Sequence, residues 1–391
     1  MTLRFALGLG LATLALGLSA PCSAQPAAAG DPIVVGEQFE LRSESLGEMR
    51  SYQVHRPPNY DIENARYPVL IVLDGEWHFQ HVSTTVDFLA DAGQIPAMLV
   101  IGIPNTDRYR DMDSAAAPGS SKFLTFITDE VIPKIDRDYR THRHRTLVGH
   151  SGAGLYTLYS MINAPEVFRG YIVIAPAFGD NPELPKTVAA FLAEHPDLNL
   201  NADLFLTADN SLGMGLSGAW ELSSYLQERA TRVRDLRYTF RRSEESHGAV
   251  PLRSVHDGLT SIFEGWELDR ENAFALYERG GMTAIDKHFG ALSTRLGFPV
   301  PVPEDAMLQP FFQLEGSKRF TEAEQVIKGV IESFPDDPTA LYYAARLYLQ
   351  MGNRPLAVET SRRALLLSPD HAPSRSLLQY MQVDASELVR E

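Results

Sequence analysis

Thr146-Leu-Val-Gly-His-Ser-Gly-Ala-Gly154 sets Ser151 among residues of almost no bulk, directly after an apolar run. A serine hydroxyl is a weak nucleophile until the backbone pushes it into a cleft beside a base and amide donors. A strand that turns sharply into a helix does this, and so tight a turn tolerates little side chain. Gly149 precedes Ser151 by two positions, and Gly152, Ala153 and Gly154 follow it. Arg145–Val148 reads as a strand and Leu155–Ile162 as a helix that packs apolar residues. The stretch therefore reads as a nucleophile elbow, with Ala153 where G-x-S-x-G has its second glycine. The competing reading, a phosphate-cradling turn, lacks both the following lysine and the G-x-G-x-x-G spacing.

The flanking sequence supplies the setting an elbow needs. Pro68–Leu73, Ala97–Ile103, Thr146–Val148, Tyr171–Ile174 and Leu204–Thr207 read as buried strands. Phe79–Ala92, Lys122–Ile135 and Leu155–Asn163 read as helices between them. Continuously apolar strands joined by helical crossovers predict an α/β fold with a mostly parallel sheet covered on both faces, over residues 33–266. Ile33–Pro57 reads as an antiparallel meander leading into it.

After Trp266 the strand signals stop. Pro301, Pro335 and Pro369 are spaced by 34 residues, as are Ala323 and Ala357. That period matches a tetratricopeptide-type helical hairpin, and predicts a small all-α tail over residues 267–384. Glu304–Leu314 and Thr339–Met351 read as first helices, Glu322–Phe334 and Arg354–Leu367 as second ones, with a degenerate repeat before Pro301. So few repeats are marginal alone, so the tail is expected to lean on the preceding domain.

At 391 residues two domains are the expectation, and 44% hydrophobic content suits a globular chain. The net charge of −15 argues against nucleic acid and anionic membranes as partners. Met1–Arg4 carries one positive charge, Phe5–Leu18 is apolar or small, and Ser19–Ala24 offers small residues for cleavage. This predicts a signal peptide over residues 1–24 and a periplasmic or secreted protein. The lone cysteine, Cys22, would leave with that peptide. No later run is long enough to span a bilayer.

A nucleophilic serine needs a base and the base an orienting acid, supplied in parallel-sheet hydrolases in the chain order serine, acid, histidine. His247 is the best placed base, in a polar loop between the strand Leu236–Phe240 and the helix Val250–Phe263. Asp209, just past Leu204–Thr207, stands where the acid belongs, although turn capping accounts for an aspartate there equally simply. Glu244 and Glu245 are close in sequence to His247, and Glu221 is a more distant candidate. The oxyanion donors are expected to be the backbone amides of Gly152 and of Glu76, the latter in the loop Leu73-Asp-Gly-Glu-Trp77. Trp77, His78 and Phe79 are candidates for the acyl pocket or for core. His78 with His81, His142 with His144, and Asp107, Asp111 and Asp113 lack the further spaced ligands of a metal site, so no metal and no cofactor are expected.

These segments together resemble the esterase branch of the α/β-hydrolases, which takes in esterase D-like, feruloyl, acetyl and enterochelin or salmochelin esterases. The resemblance covers most of residues 33–266. It rests on Val72–Gly75, Val100–Asp111, Gly149–Gly152 and Glu244–Leu259. It implies Ser151 as nucleophile and His247 as base, and supports Asp209 less firmly, since some relatives work as a Ser–His dyad. Some exported members are similar in carrying a tetratricopeptide-like tail. After Ile174 the chain reads Ala-Pro-Ala-Phe-Gly-Asp180, where many relatives carry Ser-Pro followed by tryptophans. The resemblance therefore does not extend to an aromatic-acyl preference.

The sequence accordingly predicts an exported serine carboxylic-ester hydrolase acting on a small-molecule ester, with the repeats as a surface for a protein partner. The alternatives are a non-catalytic binding or scaffold protein on the same fold, and a serine peptidase.

Overall fold

The computed structural model describes residues 30–113, 121–232 and 235–383, so the leader expected over 1–24 lies outside them. Contacts divide the chain into Met1–Val34 and Val35–Glu391. Of the first unit, residues 30–34 carry neither helix nor strand and are exposed.

The second unit is built on one eight-stranded sheet. Its strands are β1 (Glu37–Ser43), β2 (Glu48–His55), β3 (Tyr67–Leu73), β4 (Leu99–Ile103), β5 (Thr141–His150), β6 (Gly170–Ile174), β7 (Ala202–Ala208) and β8 (Leu236–Arg242). The spatial order is β1-β2-β4-β3-β5-β6-β7-β8. β1, β2 and β4 pair antiparallel, and every pair from β4–β3 to β7–β8 is parallel. Every residue of β3, β4, β6 and β7 is buried, as strands covered on both faces must be. β5 is longer than its apolar run. Thr141–Arg145 is polar at every position, yet Thr141 and His144 are buried and extend the strand.

The crossovers are α1 (Gly75–Asp91), α2 (Arg108–Asp111), α3 (Lys122–Thr125), α4 (Ile132–Asp138), α5 (Gly152–Asn163), α6 (Leu184–Glu194), α7 (Met214–Arg232) and α8 (Val250–Ile262). The single helix predicted over Lys122–Ile135 is interrupted by a π-helical segment, Phe126–Val131. Pro133 in the first turn of α4 has no N–H to continue the regular ladder, which explains the widened turn. One face of the sheet packs α5 with Phe123, Phe126 and Leu222; the other packs α1 and α8.

The helices after Trp266 are α9 (Arg270–Gly280), α10 (Met282–Leu296), α11 (Glu304–Gly316), α12 (Phe320–Ser333), α13 (Pro338–Gln350), α14 (Arg354–Leu367) and α15 (Ala372–Tyr380). From α11 on they share a core of their own around Phe311, Ile327, Ala344 and Leu347. The buried side of α10 belongs instead to the sheet's core: Ile285, Phe289, Leu292 and Leu296 pack with Val255, Leu259 and Phe263. Polar ties reinforce this contact. His144 Nδ1 on β5 bonds the Leu296 carbonyl at 3.0 Å, and His142 stacks on Phe298 at 4.6 Å. Arg295 donates to the carbonyls of Ile262 and Glu264 and pairs with Asp203 on β7. His142 and His144, weighed as ligands in the sequence, are thus joints between sheet and helix.

Candidate active site

The C-terminal ends of β3, β5, β7 and β8 deliver the candidate residues to one edge of the sheet. At the end of β5, Ser151 adopts φ 60° and ψ −118°, a conformation non-glycine residues rarely enter. Its N–H donates to the Ile174 carbonyl at 2.9 Å, while its own carbonyl accepts from Leu155 and Ala177. These bonds pin the serine between strand and helix. The small neighbours are required by contact: a Cβ on Gly149 would stand 2.1 Å from the Ala153 carbonyl oxygen. On Gly154 it would approach the Ile174 oxygen at 3.0 Å. Ala153 is fully buried, so the position that departs from the usual glycine accommodates its methyl inside the core.

Asp209 follows β7, and His247 lies in the loop after β8. Their loops are stitched together by the Asn210 N–H on the Glu245 carbonyl (3.0 Å) and the Ser243 N–H on the Ala208 carbonyl (2.7 Å). His247 Nδ1 bonds Asp209 Oδ2 at 2.6 Å, and Asp209 Oδ1 accepts the Ser211 N–H at 2.9 Å. Asp209 is therefore both a turn cap and the carboxylate partner of the imidazole. Burial pushes its carboxyl up, but the bonds from His247 and Ser211 outweigh that and hold it below the ordinary aspartate value. Glu244 and Glu245 meet this region through their backbone carbonyls, and Glu221 lies on α7. With Nδ1 committed to Asp209, Nε2 is the ring nitrogen left for proton transfer. Among the described residues no hydrogen bond joins Ser151 Oγ to His247, a looseness common before substrate binds.

A row of histidine rings backs the base. His150 lies 4.6 Å from His247 and 5.6 Å from His78, whose Nδ1 meets His81 Nε2 at 2.9 Å. Burial pushes His81 and His150 down to about 4, with neighbouring histidines adding to the effect, and it lowers His78 as well. These rings are neutral near pH 7 and present no cation to His247. His78 Nδ1 and His81 Nε2 are bonded to each other, while among the described residues His81 Nδ1 has no partner and no three metal-ligating side chains converge.

The remaining wall comes from the loop after β3. Asp74 sits in the left-handed region (φ 54°, ψ 46°), and Gly75 approaches β4 so closely that a Cβ would lie 2.8 Å from the Ile103 nitrogen. Glu76 falls in the first turn of α1, where backbone N–H groups have no intrahelical acceptor. Trp77 is 63% exposed and lies beside Arg108, whereas Phe79 is core, so of the two only Trp77 is open to a ligand. Two residues with no assigned role in the sequence complete this wall. Arg108 donates through Nε and Nη2 to Asp74, each at 2.8 Å, and Asn105 Nδ2 bridges Asp74 (2.6 Å) and Glu76 (2.9 Å). Arg50, fully buried, clamps the segment after β4 that carries Asn105 and Arg108, through Asp111 (2.5 Å) and the Pro104 carbonyl (3.2 Å). Asp107 caps α2. The aspartates of this loop are thus ion-pair and capping residues. The signal for them was present in the run Asn105–Asp111, but it names no partner without the fold.

Comparison with known proteins agrees with this architecture. Residues 43–205 match the family described as "Putative esterase", and residues 314–379 match a tetratricopeptide repeat. The ferri-bacillibactin esterase BesA of Bacillus subtilis is 28% identical over 172 residues, which is 37% of this chain and 59% of that protein. The chain thus spans less than two thirds of that relative's length. An IroE-like serine hydrolase from Shewanella oneidensis superposes with a TM-score of 0.61 at 22% identity, covering 76% of this chain and 99% of that one. An uncharacterised protein from Capnocytophaga ochracea covers 91% of this chain and 100% of its own, with a TM-score of 0.65 at 15% identity. At those identities the two structures speak for the fold alone. The chain is thus an α/β-hydrolase fold with a helical tail, in which residues 43–205 match the esterase family and residues 314–379 a tetratricopeptide repeat.

Proposed function

We propose that this chain is an exported serine carboxylic-ester hydrolase. The observation that carries the proposal is the 2.6 Å bond from His247 to Asp209 at the same sheet edge as the strained Ser151 turn. His247 Nε2 takes the hydroxyl proton as Ser151 Oγ attacks the ester carbonyl, and the tetrahedral oxyanion is met by the amides of Gly152 and Glu76. The imidazolium, steadied by Asp209, returns the proton to the leaving alcohol. Water activated by the same imidazole then cleaves the acyl-enzyme and restores Ser151.

The relative's name guides the choice of substrate: an ester-linked ferri-siderophore of the ferri-bacillibactin kind is the natural class to try first. Export rests on the apolar run Phe5–Leu18 and the small residues before Gln25. The helical repeats are the surface for a protein partner, as a tetratricopeptide fold suggests.

Ser151→Ala is expected to abolish hydrolysis of p-nitrophenyl butyrate and covalent labelling by a fluorophosphonate while leaving the circular dichroism unchanged. Labelling that persists in the variant, or is absent from the parent chain, rejects the assignment in favour of a non-catalytic scaffold. The N-terminal residue of the protein recovered from a periplasmic fraction tests export.

A further inference from the structure

The imidazole of His247 is bonded at one point, Nδ1 to Asp209, and its side chain is 46% exposed. A single bond leaves the ring free to swing about that axis. Such a swing carries Nε2 out of line for the two proton transfers of the proposed reaction. The second contact is with His150, whose ring centroid lies 4.6 Å away at an interplanar angle of 41°. Among the described residues no other aromatic ring reaches His247.

His150 is built as a backstop. It is the last residue of β5, paired with Ile174 of β6, so its ring is carried on the same backbone as Ser151. The ring is backed in turn: His78 on α1 meets it edge-on at 84°, and His78 Nδ1 is bonded to His81 Nε2. The space behind the row, lined by Val82, Pro251 and Val255, is too small to admit a water, so the rings have nowhere to retreat. His150 Nε2 is buried without a partner, so that edge of the ring contributes shape and no hydrogen bond. The titratable groups around it are His247, His78 and, from the loop after β3, Asp74. Burial, with His247 and His78 adding to it, pushes His150 down to about 4, so the ring sets no charge against the imidazolium that His247 becomes.

We infer that His150 is a positioning residue: its ring stops the His247 imidazole from swinging about the bond to Asp209, and the two histidines of α1 hold that ring in place. The inference rests on the esterase reading and adds to it how the base stays aligned while it takes and returns the proton. Misplacing a catalytic group by about an ångström costs on the order of 10²-fold in rate, so a ring that only touches the base can still govern turnover.

His150→Leu removes the ring, and His150→Phe restores a flat ring without the nitrogens. Both are assayed on p-nitrophenyl butyrate, with active sites counted at the end point of fluorophosphonate labelling. In His150→Leu, kcat per labelled site is expected to fall on the order of tenfold or more with KM within about twofold, and His150→Phe to recover kcat to within about threefold of the parent. A role in the fold alone would lower the labelled fraction and leave kcat per site unchanged, which overturns the inference. A His150→Phe as slow as His150→Leu overturns it too. The acid limb of kcat/KM should stay in place in both variants; a displacement of more than about one pH unit would make the ring a charge partner of the base and reject the backstop. His78→Leu, one ring further from the base, keeps the measurement open should the His150 variants fold poorly: a smaller fall in kcat per site at unchanged KM is expected, and a parent-like kcat overturns the inference. Labelling of the parent chain separates the failures. A labelled parent with unchanged kcat in the variants rejects the role of His150 alone, and an unlabelled parent rejects the esterase reading and this inference with it.

Discussion

His247 Nδ1 stands 2.6 Å from Asp209 Oδ2, across two loops that the backbone of Asn210 ties together. The carboxylate fixes which ring nitrogen keeps its proton, and so leaves the other for the proton transfer proposed above. Asp209→Asn keeps the shape and offers an amide that favours the other tautomer. Its kcat on p-nitrophenyl butyrate is expected to fall about 10²- to 10⁴-fold, by analogy with serine protease triads. Glu245→Gln should leave the rate within about twofold, since its side chain is not the imidazole's partner. A reversed pattern in steady-state kinetics would return the acid's role to Glu245, and near-parent rates in both would support a Ser–His dyad.

The elbow makes two opposite demands on small residues. Gly149→Ala places a methyl 2.1 Å from the Ala153 carbonyl oxygen, which the backbone cannot yield without moving Ser151. A loss of about 3 kcal/mol or more, with loss of fluorophosphonate labelling, is expected. Ala153→Gly restores the usual motif but removes a buried methyl and loosens a helix, at a cost of about 1 kcal/mol with labelling retained. Urea denaturation and labelling of both variants check the pair.

Three histidines, His144 buried and His81 and His150 half-buried, weaken the fold in acid. Burial pushes His81, His144 and His150 down to about 4, while their unfolded counterparts titrate at the ordinary value of 6.5. Between those values the unfolded chain binds more protons than the folded one, so stability falls as pH drops through that window. Thermal melts should show a lower Tm at pH 5 than at pH 7, and His144→Gln should flatten the dependence. A His144→Gln variant whose Tm follows pH as steeply as the parent chain's would contradict the neutral state of the buried His144 ring.

How much of this was legible beforehand follows from what each feature depends on. The sheet was legible because β3, β4 and β6, and the centre of β7, are near-continuous apolar runs, as strands buried on both faces require. The sharp turn at Ser151 and the place of His247 in the loop after β8 were legible because a turn of small residues and a late loop histidine are local signals. The start of β5 was obscured because its buried polar residues are satisfied by partners far away in sequence, His144 by Leu296, 152 positions on. Arg108 and Arg50 were hidden for the same reason: their meaning lies in Asp74 and Asp111, which only the strand order brings near. The break in Lys122–Ile135 was readable at Pro133, which the apolar spacing overrode.

The tail offers a test by truncation. Ending the chain after Trp266 removes α10 and uncovers the apolar side of α8, including Val255, Leu259 and Phe263. That product is expected to aggregate. Ending it after Val302 keeps α10 and Phe298, and should leave a folded chain whose Ser151 is still labelled. Size-exclusion chromatography and fluorophosphonate labelling of the two products decide it.

The tie between His144 and the end of α10 also bears on how such a chain can change over generations. Helical repeats are gained and lost readily, because each contacts only its neighbours. Here the first hairpin is excluded from that traffic: Leu296 and Arg295 are written into the sheet, so its deletion would take the hydrolase with it. Variation in repeat number is therefore expected in the segment beyond Val302, where the helices share a core of their own.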